Sequence, residues 1–336
     1  MKKKSLVLIF SFLLFHFFAQ ASSSSVNPFS FDLGGYFTAT VGHQGEYVYE
    51  PLSHDRLLSY LEWDEKPVFS VGLIGGIEYN GFQIHVEADI SFPGTSGTVT
   101  DSDYMNVSEF PNCTDSIAAI KTKYSESLCT SNSLFSIQFQ LAYEFNLNQV
   151  LSLTPFLGYD YQYSDLSAWG LDGYYYDESY TESNGYFGWY YTSGHNTRVF
   201  YSKQTETLNL MRHYHVTWVG LTASFNLSKY FSLDASAGIS PFVAVKSLDS
   251  HILRKTAFYD DLYSWLRGGK ISAALNYKFD QHNCFFGKVE FLSTGIANGI
   301  TYTVRIGTKS YTAYPNSHAG GDLQIWDFSL GFKHTF

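Results

Sequence analysis

Charged residues are scarce in this chain of 336: Asp, Glu, Lys and Arg supply 15% of it, against roughly 25% in soluble domains, so the usual water-facing surface of a cytosolic enzyme is missing. Long apolar runs are absent beyond the N-terminus, whereas a helical membrane protein needs stretches of about 20. Cysteine and methionine number three each, and Lys plus Arg are outnumbered 21 to 31 by Asp plus Glu. The net charge of −10 argues against nucleic acid as a partner. What is abundant is aromatic: 27 Tyr, 29 Phe and 6 Trp beside 27 Gly, within a 45% hydrophobic content that excludes a disordered chain. Mean hydropathy is nevertheless close to neutral. Apolar and polar residues must therefore be interleaved, as in an outer-membrane barrel.

Residues 1–21 read as a secretory signal peptide, with Lys2, Lys3 and Lys4, then an apolar stretch from Leu6 to Phe18, then Ala19-Gln20-Ala21 as a cleavage site. Residues 22–27 follow as a flexible N-terminus, and 28–336 as one barrel domain. Of the cysteines, Cys113 and Cys129 share a polar region and are a plausible pair in an oxidising compartment, while Cys284 stands apart near a short turn.

Period-two alternation runs through the chain. Phe82, Ile84, Val86, Ala88, Ile90 and Phe92 alternate with polar residues, and so do Phe135, Ile137, Phe139, Leu141, Tyr143 and Phe145. The pattern predicts ten strands near 31–46, 57–79, 82–92, 132–146, 150–165, 213–225, 231–246, 263–279, 284–304 and 323–336. Connections alternate in length: tight turns at Asn80-Gly81, 147–149, 226–230 and 280–283, and long polar segments near 47–56, 93–131, 166–212, 247–262 and 305–322. The fold class expected is all-β, a ten-stranded antiparallel transmembrane β-barrel with long extracellular loops. The C-terminal Phe336, sharing a face with Trp326, Phe328, Leu330, Phe332 and His334, resembles the assembly signal of outer-membrane proteins. A soluble sandwich alternates likewise but does not need signal peptide, terminal Phe and loop rhythm together.

Two acidic clusters fall on the predicted extracellular side, Asp101-Ser102-Asp103 and Asp249-Ser250-His251. In extended backbone the i, i+2 spacing puts each pair on one face. A carboxylate bonded to an imidazole fixes its tautomer, and the imidazole can then take a proton from a water held against opposing carboxylates. On spacing alone the same patterns are also ordinary turn caps.

From first strand to terminal Phe the chain resembles the omptin family of ten-stranded outer-membrane proteases. The likeness is carried by Gly45-Glu46-Tyr47-Val48-Tyr49, Leu61-Glu62-Trp63, Asp101-Ser102-Asp103-Tyr104-Met105, Val219-Gly220-Leu221-Thr222 and Asp249-Ser250-His251. It implies an aspartic-type endopeptidase in the cell outer membrane, its site facing outside, with water activated between Asp101 and Asp103 and the Asp249–His251 pair. It implies a substrate pocket with Glu46 as one acid, while Ser247 stands where the family has a second, which weakens strict Arg or Lys preference. The family's lipopolysaccharide pattern appears as Tyr159-Asp160-Tyr161-Gln162-Tyr163 without its arginine, so activation by lipopolysaccharide does not carry over. Extracellular proteins or peptides are the expected substrates, outer-membrane lipid the surroundings, and an oligomer is not expected. No cofactor and no metal are assigned: His213 and His215 share a face of strand six, where lumenal hydrogen bonding is the simpler role. The tyrosine-rich stretch from Tyr174 to Tyr191 either cradles a peptide or packs on the rim. The rival readings are an inactive barrel of the same ancestry used for adhesion, and a small porin.

Overall fold

A segment that alternates apolar and polar side chains satisfies both an oily and a wet surface only as a strand, and in the computed structural model the regular elements of the described residues are all strands. The model describes residues 29–50, 53–104, 121–176, 196–308 and 311–336. In chain order they form β1 (Phe29–Glu50), β2 (Ser53–Tyr79), β3 (Phe82–Ser91, continued by Gly94–Tyr104), β4 (Lys121–Tyr143, prolonged by Phe145–Asn146) and β5 (Leu151–Tyr176). Then come β6 (Asn196–Asn226), β7 (Phe231–His251), β8 (Thr256–Lys278), β9 (Asn283–Ser293, continued by Ala297–Arg305) and β10 (Tyr311–Thr335). Neighbours pair antiparallel around the sheet. The first and last strands pair from Asp32 opposite Thr335 to Val48 opposite Ala319, which closes the ring.

The tight ends follow local chemistry. Asn80 and Gly81 both take positive φ, 51° and 82°, the backbone that a two-residue hairpin turn requires and that Asn-Gly adopts most readily. At this end of the barrel aromatic rings stack across strands: Phe31 on Phe336 at 5.5 Å, Phe231 on Tyr277 at 5.0 Å and Phe279 on Phe285 at 5.3 Å between centroids. Phe242 against Trp265 and Phe291 against Trp326, each at 4.8 Å, form part of a second ring further along the strands. Between them Leu73, Ile239, Ile271 and Leu330 are exposed. An outward apolar band between two aromatic girdles is the surface that lipid requires.

The inside at this height is ionic. Lys270 lies 3.1 Å from Asp160 and 3.5 Å from Glu290, and Lys288 lies 3.3 Å from both Glu290 and Glu87. These long side chains fill the lumen of a ten-stranded ring. The space left beside them is about 70 Å³.

The strands run far beyond the apolar band. The longest, β6, has 31 residues, which at about 3.3 Å per residue and a tilt near 40° rises roughly 75 Å, about three times the lipid-facing height. The segments expected as loops at 93–131, 166–212, 247–262 and 305–322 are therefore largely wall: 94–104, 121–131, 166–176, 196–212, 247–251, 256–262 and 311–322 are strand. Above the membrane the outer face of the sheet meets water in place of lipid, so the alternation that marks a strand fades. The upper barrel still has a core of its own, with Leu61, Trp63, Val99, Cys129, Leu166, Ala168 and Leu210 packed inward.

Two further expectations change. Cys129 is a free thiol inside that core and not part of a loop disulfide, because β4 begins at Lys121 and carries it into the wall. Burial pushes its thiol up to about 12. Cys113 and residues 1–21, 22–27 and 177–191, on which the signal, N-terminal and tyrosine-rich expectations fall, lie outside the described residues. His213 and His215 face outward, not into the lumen, since Arg212, Tyr214, Val216 and Trp218 hold the inward row of β6. They bond the hydroxyls of Tyr161 and Tyr159 at 2.8 and 2.7 Å.

Candidate active site

The upper part of β7 carries Val245, Ser247, Asp249 and His251 on its inward face. Four strands around the ring, the upper part of β3 carries Asp101 and Asp103, with Asp101 registered against Leu61 of β2 and Asp103 against Lys123 of β4. These groups share one cleft of about 500 Å³, lined also by Glu46, Arg254, Phe258 and Asp260. A smaller recess of about 130 Å³ shares Asp101, His251 and Arg254 with it and is walled by Leu171, Tyr175, Tyr201 and Leu208. The open space thus continues on both sides of the Asp101–His251 line. Tyr175 lines the recess, while Tyr174 points away and is exposed.

Within the β7 pair, His251 Nε2 and Asp249 Oδ2 are 2.6 Å apart. In the neutral ring that bond puts the proton on Nε2 and leaves Nδ1 as the basic nitrogen. The Phe258 ring meets the imidazole edge to face at 5.1 Å and fixes its second direction. Burial works against the imidazolium, but the charge and hydrogen bond of Asp249 outweigh it and hold His251 above the ordinary histidine range.

The β3 aspartates differ from each other. Asp103 Oδ2 lies 4.0 Å from Lys123 Nζ, which in turn sits 5.6 Å over the Tyr175 ring. Among the described residues no cation lies within 4.0 Å of Asp101. Burial, and after it the Asp103 charge, push Asp101 up to about 7, with His251 and Arg254 pulling the other way. Near neutral pH this carboxyl can therefore either accept or donate. Asp101 Oδ1, Asp249 Oδ1 and Thr303 Oγ1 are buried without a protein hydrogen-bond partner among the described residues, and all three residues line the cleft. Orphaned buried polar atoms cost about 1–3 kcal/mol each, more when charged, and mark a surface built to meet water or a ligand.

One end of the cleft rests on charged residues. Glu46, on β1, is 5% exposed and accepts the Trp63 indole N–H at 3.3 Å. Arg212, fully buried on β6, brings Nη2 to 3.9 Å from Glu46 Oε2. Its Nη1 donates to the Gly45 carbonyl at 2.7 Å and to Tyr214 Oη at 3.2 Å, and its Nε to Ser247 Oγ at 3.3 Å. Burial, then the Asp249 charge, push the Glu46 carboxyl up, while Arg212 opposes them. Ser247 is buried as well, 5% exposed, and its hydroxyl is taken up by this network.

The sequence reading singled out neither Arg212 nor Asp260, because both fell in segments taken as loops. A signal did exist for the first. Counting back by twos from Trp218, Val216 and Tyr214 puts an arginine in an apolar inward row, and such an arginine demands a carboxylate.

A model of the omptin family matches residues 32–336. The crystal structure of the outer-membrane protease OmpT from Escherichia coli superposes with a TM-score of 0.78 at 15% identity, over 94% of this chain and 100% of that one. That identity speaks for the fold alone. The Pseudomonas aeruginosa outer-membrane protein OprG covers 91% of this chain and 95% of its own at 8% identity, with a TM-score of 0.34 that carries no argument. No curated protein matches by sequence.

Proposed function

The chain belongs to the omptin family and is a β-barrel of the outer membrane, and on that premise we propose that it is an endopeptidase whose cleft opens to the cell exterior. The observation that carries the proposal is the convergence of Asp101 and Asp103 from β3 with Asp249 and His251 from β7 in one cleft. Strands four apart in the ring do not bring such groups together by local chance.

In the proposed mechanism a water sits between Asp101 and His251. Nδ1 takes its proton, Asp249 steadies the resulting imidazolium through the 2.6 Å bond, and the hydroxide attacks the peptide carbonyl. The imidazolium then returns a proton to the departing amine. Asp101, in its protonated form, donates to the oxygen that gains charge, a use for a carboxyl held near neutrality. Asp103, charge-balanced by Lys123, keeps the Asp101 proton affinity high. Glu46 lies at the end of the cleft proposed to hold the side chain before the scissile bond, and a basic residue is favoured there.

The test is incubation of refolded protein with a mixed peptide library, read by mass spectrometry, beside Asp101→Ala and His251→Ala. Endoproteolytic products from the parent, reduced at least a hundredfold in both variants, are expected. Intact peptides with the parent, or undiminished cleavage by His251→Ala, would overturn the proposal.

A further inference from the structure

Resting on that reading, we propose that Asp260, and not Glu46, is the residue that selects a cationic side chain before the scissile bond. The family's second acid is missing at Ser247, yet the carboxylate is not missing from the place. Asp260 on β8 is the register partner of Ser247 on β7. It lines the same cleft as Glu46, is 6% exposed, and stands in register between Thr301 and Ser247, whose hydroxyls favour its charged form. One strand further round the ring, an acid returns to the wall, opposite the serine that stands where the first acid would be.

The two acids are differently placed to meet a substrate cation. Glu46 already faces the Arg212 guanidinium at 3.9 Å and the Trp63 N–H at 3.3 Å, so its charge is answered from inside the protein. Arg212 is itself fixed by Gly45, Tyr214 and Ser247, and it cannot swing away. Asp260 has only hydroxyl partners and no ion pair within 4.0 Å among the described residues. Arg212 pairs with Glu46, and although its field also reaches Asp260, no cation lies within 4.0 Å of Asp260 among the described residues. On the same wall Asp249 Oδ1, in a residue 2% exposed, and Thr303 Oγ1 are buried acceptors without protein partners. A guanidinium or ammonium entering here meets a carboxylate and free acceptors. A leucine leaves them buried and unpaired, and a glutamate is repelled.

The test compares kcat/KM for matched peptides bearing Arg, Gln, Leu or Glu before the cut. The enzymes are the parent, Asp260→Asn and the double variant Glu46→Gln/Arg212→Met, which removes that pair as a unit. The parent is expected to favour Arg over Leu at least tenfold. Asp260→Asn should bring that ratio to within about threefold of unity, and the double variant should keep it. Should the double variant fail to fold, arginine amide provides a second measurement: it should inhibit cleavage of the leucine peptide by the parent and not by Asp260→Asn. A parent indifferent to charge, an unchanged ratio in Asp260→Asn, or equal inhibition of both proteins would overturn the assignment while leaving the protease reading standing. Absence of any cleavage by the parent would remove that reading and this assignment with it.

Discussion

In the proposed mechanism His251 acts as a base only while neutral, and two opposing causes set where that holds. Burial favours the neutral ring, Asp249 favours the charged one, and Asp249 prevails. Protonation removes the base, so kcat/KM should fall as pH decreases, along a limb centred above the unperturbed value of about 6.5. In Asp249→Asn the raising cause is gone and burial remains, so the limb should move to lower pH even as the rate drops by about two to four orders of magnitude. A pH–rate profile of both proteins checks this, and a limb that stays in place would separate Asp249 from the imidazole. Arg212 gives a second residue-scale prediction. Replacing it alone with Met leaves Glu46 buried without its cation and should cost about 3–5 kcal/mol, whereas adding Glu46→Gln should recover most of the loss. Thermal unfolding of the parent and both variants in detergent measures the difference.

At the scale of the strand, β4 makes a chemical forecast. Cys129 is buried among Leu61, Trp63 and Leu166 with its thiol proton held tightly, while Cys284 near the turn end of β9 is partly accessible. A Cys113→Ser variant treated with a maleimide in its folded state should label at Cys284 and stay unlabelled at Cys129 until denatured, as peptide mapping would report. The same strand shows where the sequence was legible. Its lower half, Phe135 to Tyr143, alternates oil and water because lipid lies on one side, and the reading found it. Its upper half, Lys121 to Ser131, alternates little because its outer face meets no lipid, and it read as loop. Spacing and resemblance proposed Asp101, Asp103, Asp249 and His251 as loop residues, whereas they stand on paired backbone. Arg212 stood out only as an arginine in an apolar row, and the role proposed for Asp260 was out of reach, because which strand each residue faces requires register.

For the molecule as a whole, the ionic layer of Lys270, Asp160, Glu290, Lys288 and Glu87 decides against a wide pore. Reconstituted in planar bilayers, the protein should show no open state of porin-like conductance, and a large steady current would contradict a filled lumen. The closure of the ring has a different kind of consequence. The cleft draws on β1 for Glu46, on β3 and β7 for the four acid and imidazole groups, and on β10 for Ala319, which lies across the first-to-last strand seam beside Val48. No stretch of the chain holds a working fraction of it. An unfolded chain would carry every residue of the proposed site without the cleft that lets them act together. On the proposed reading the site is complete only where the last strand has paired with the first, and a chain that has not closed its ring has no cleft to work with.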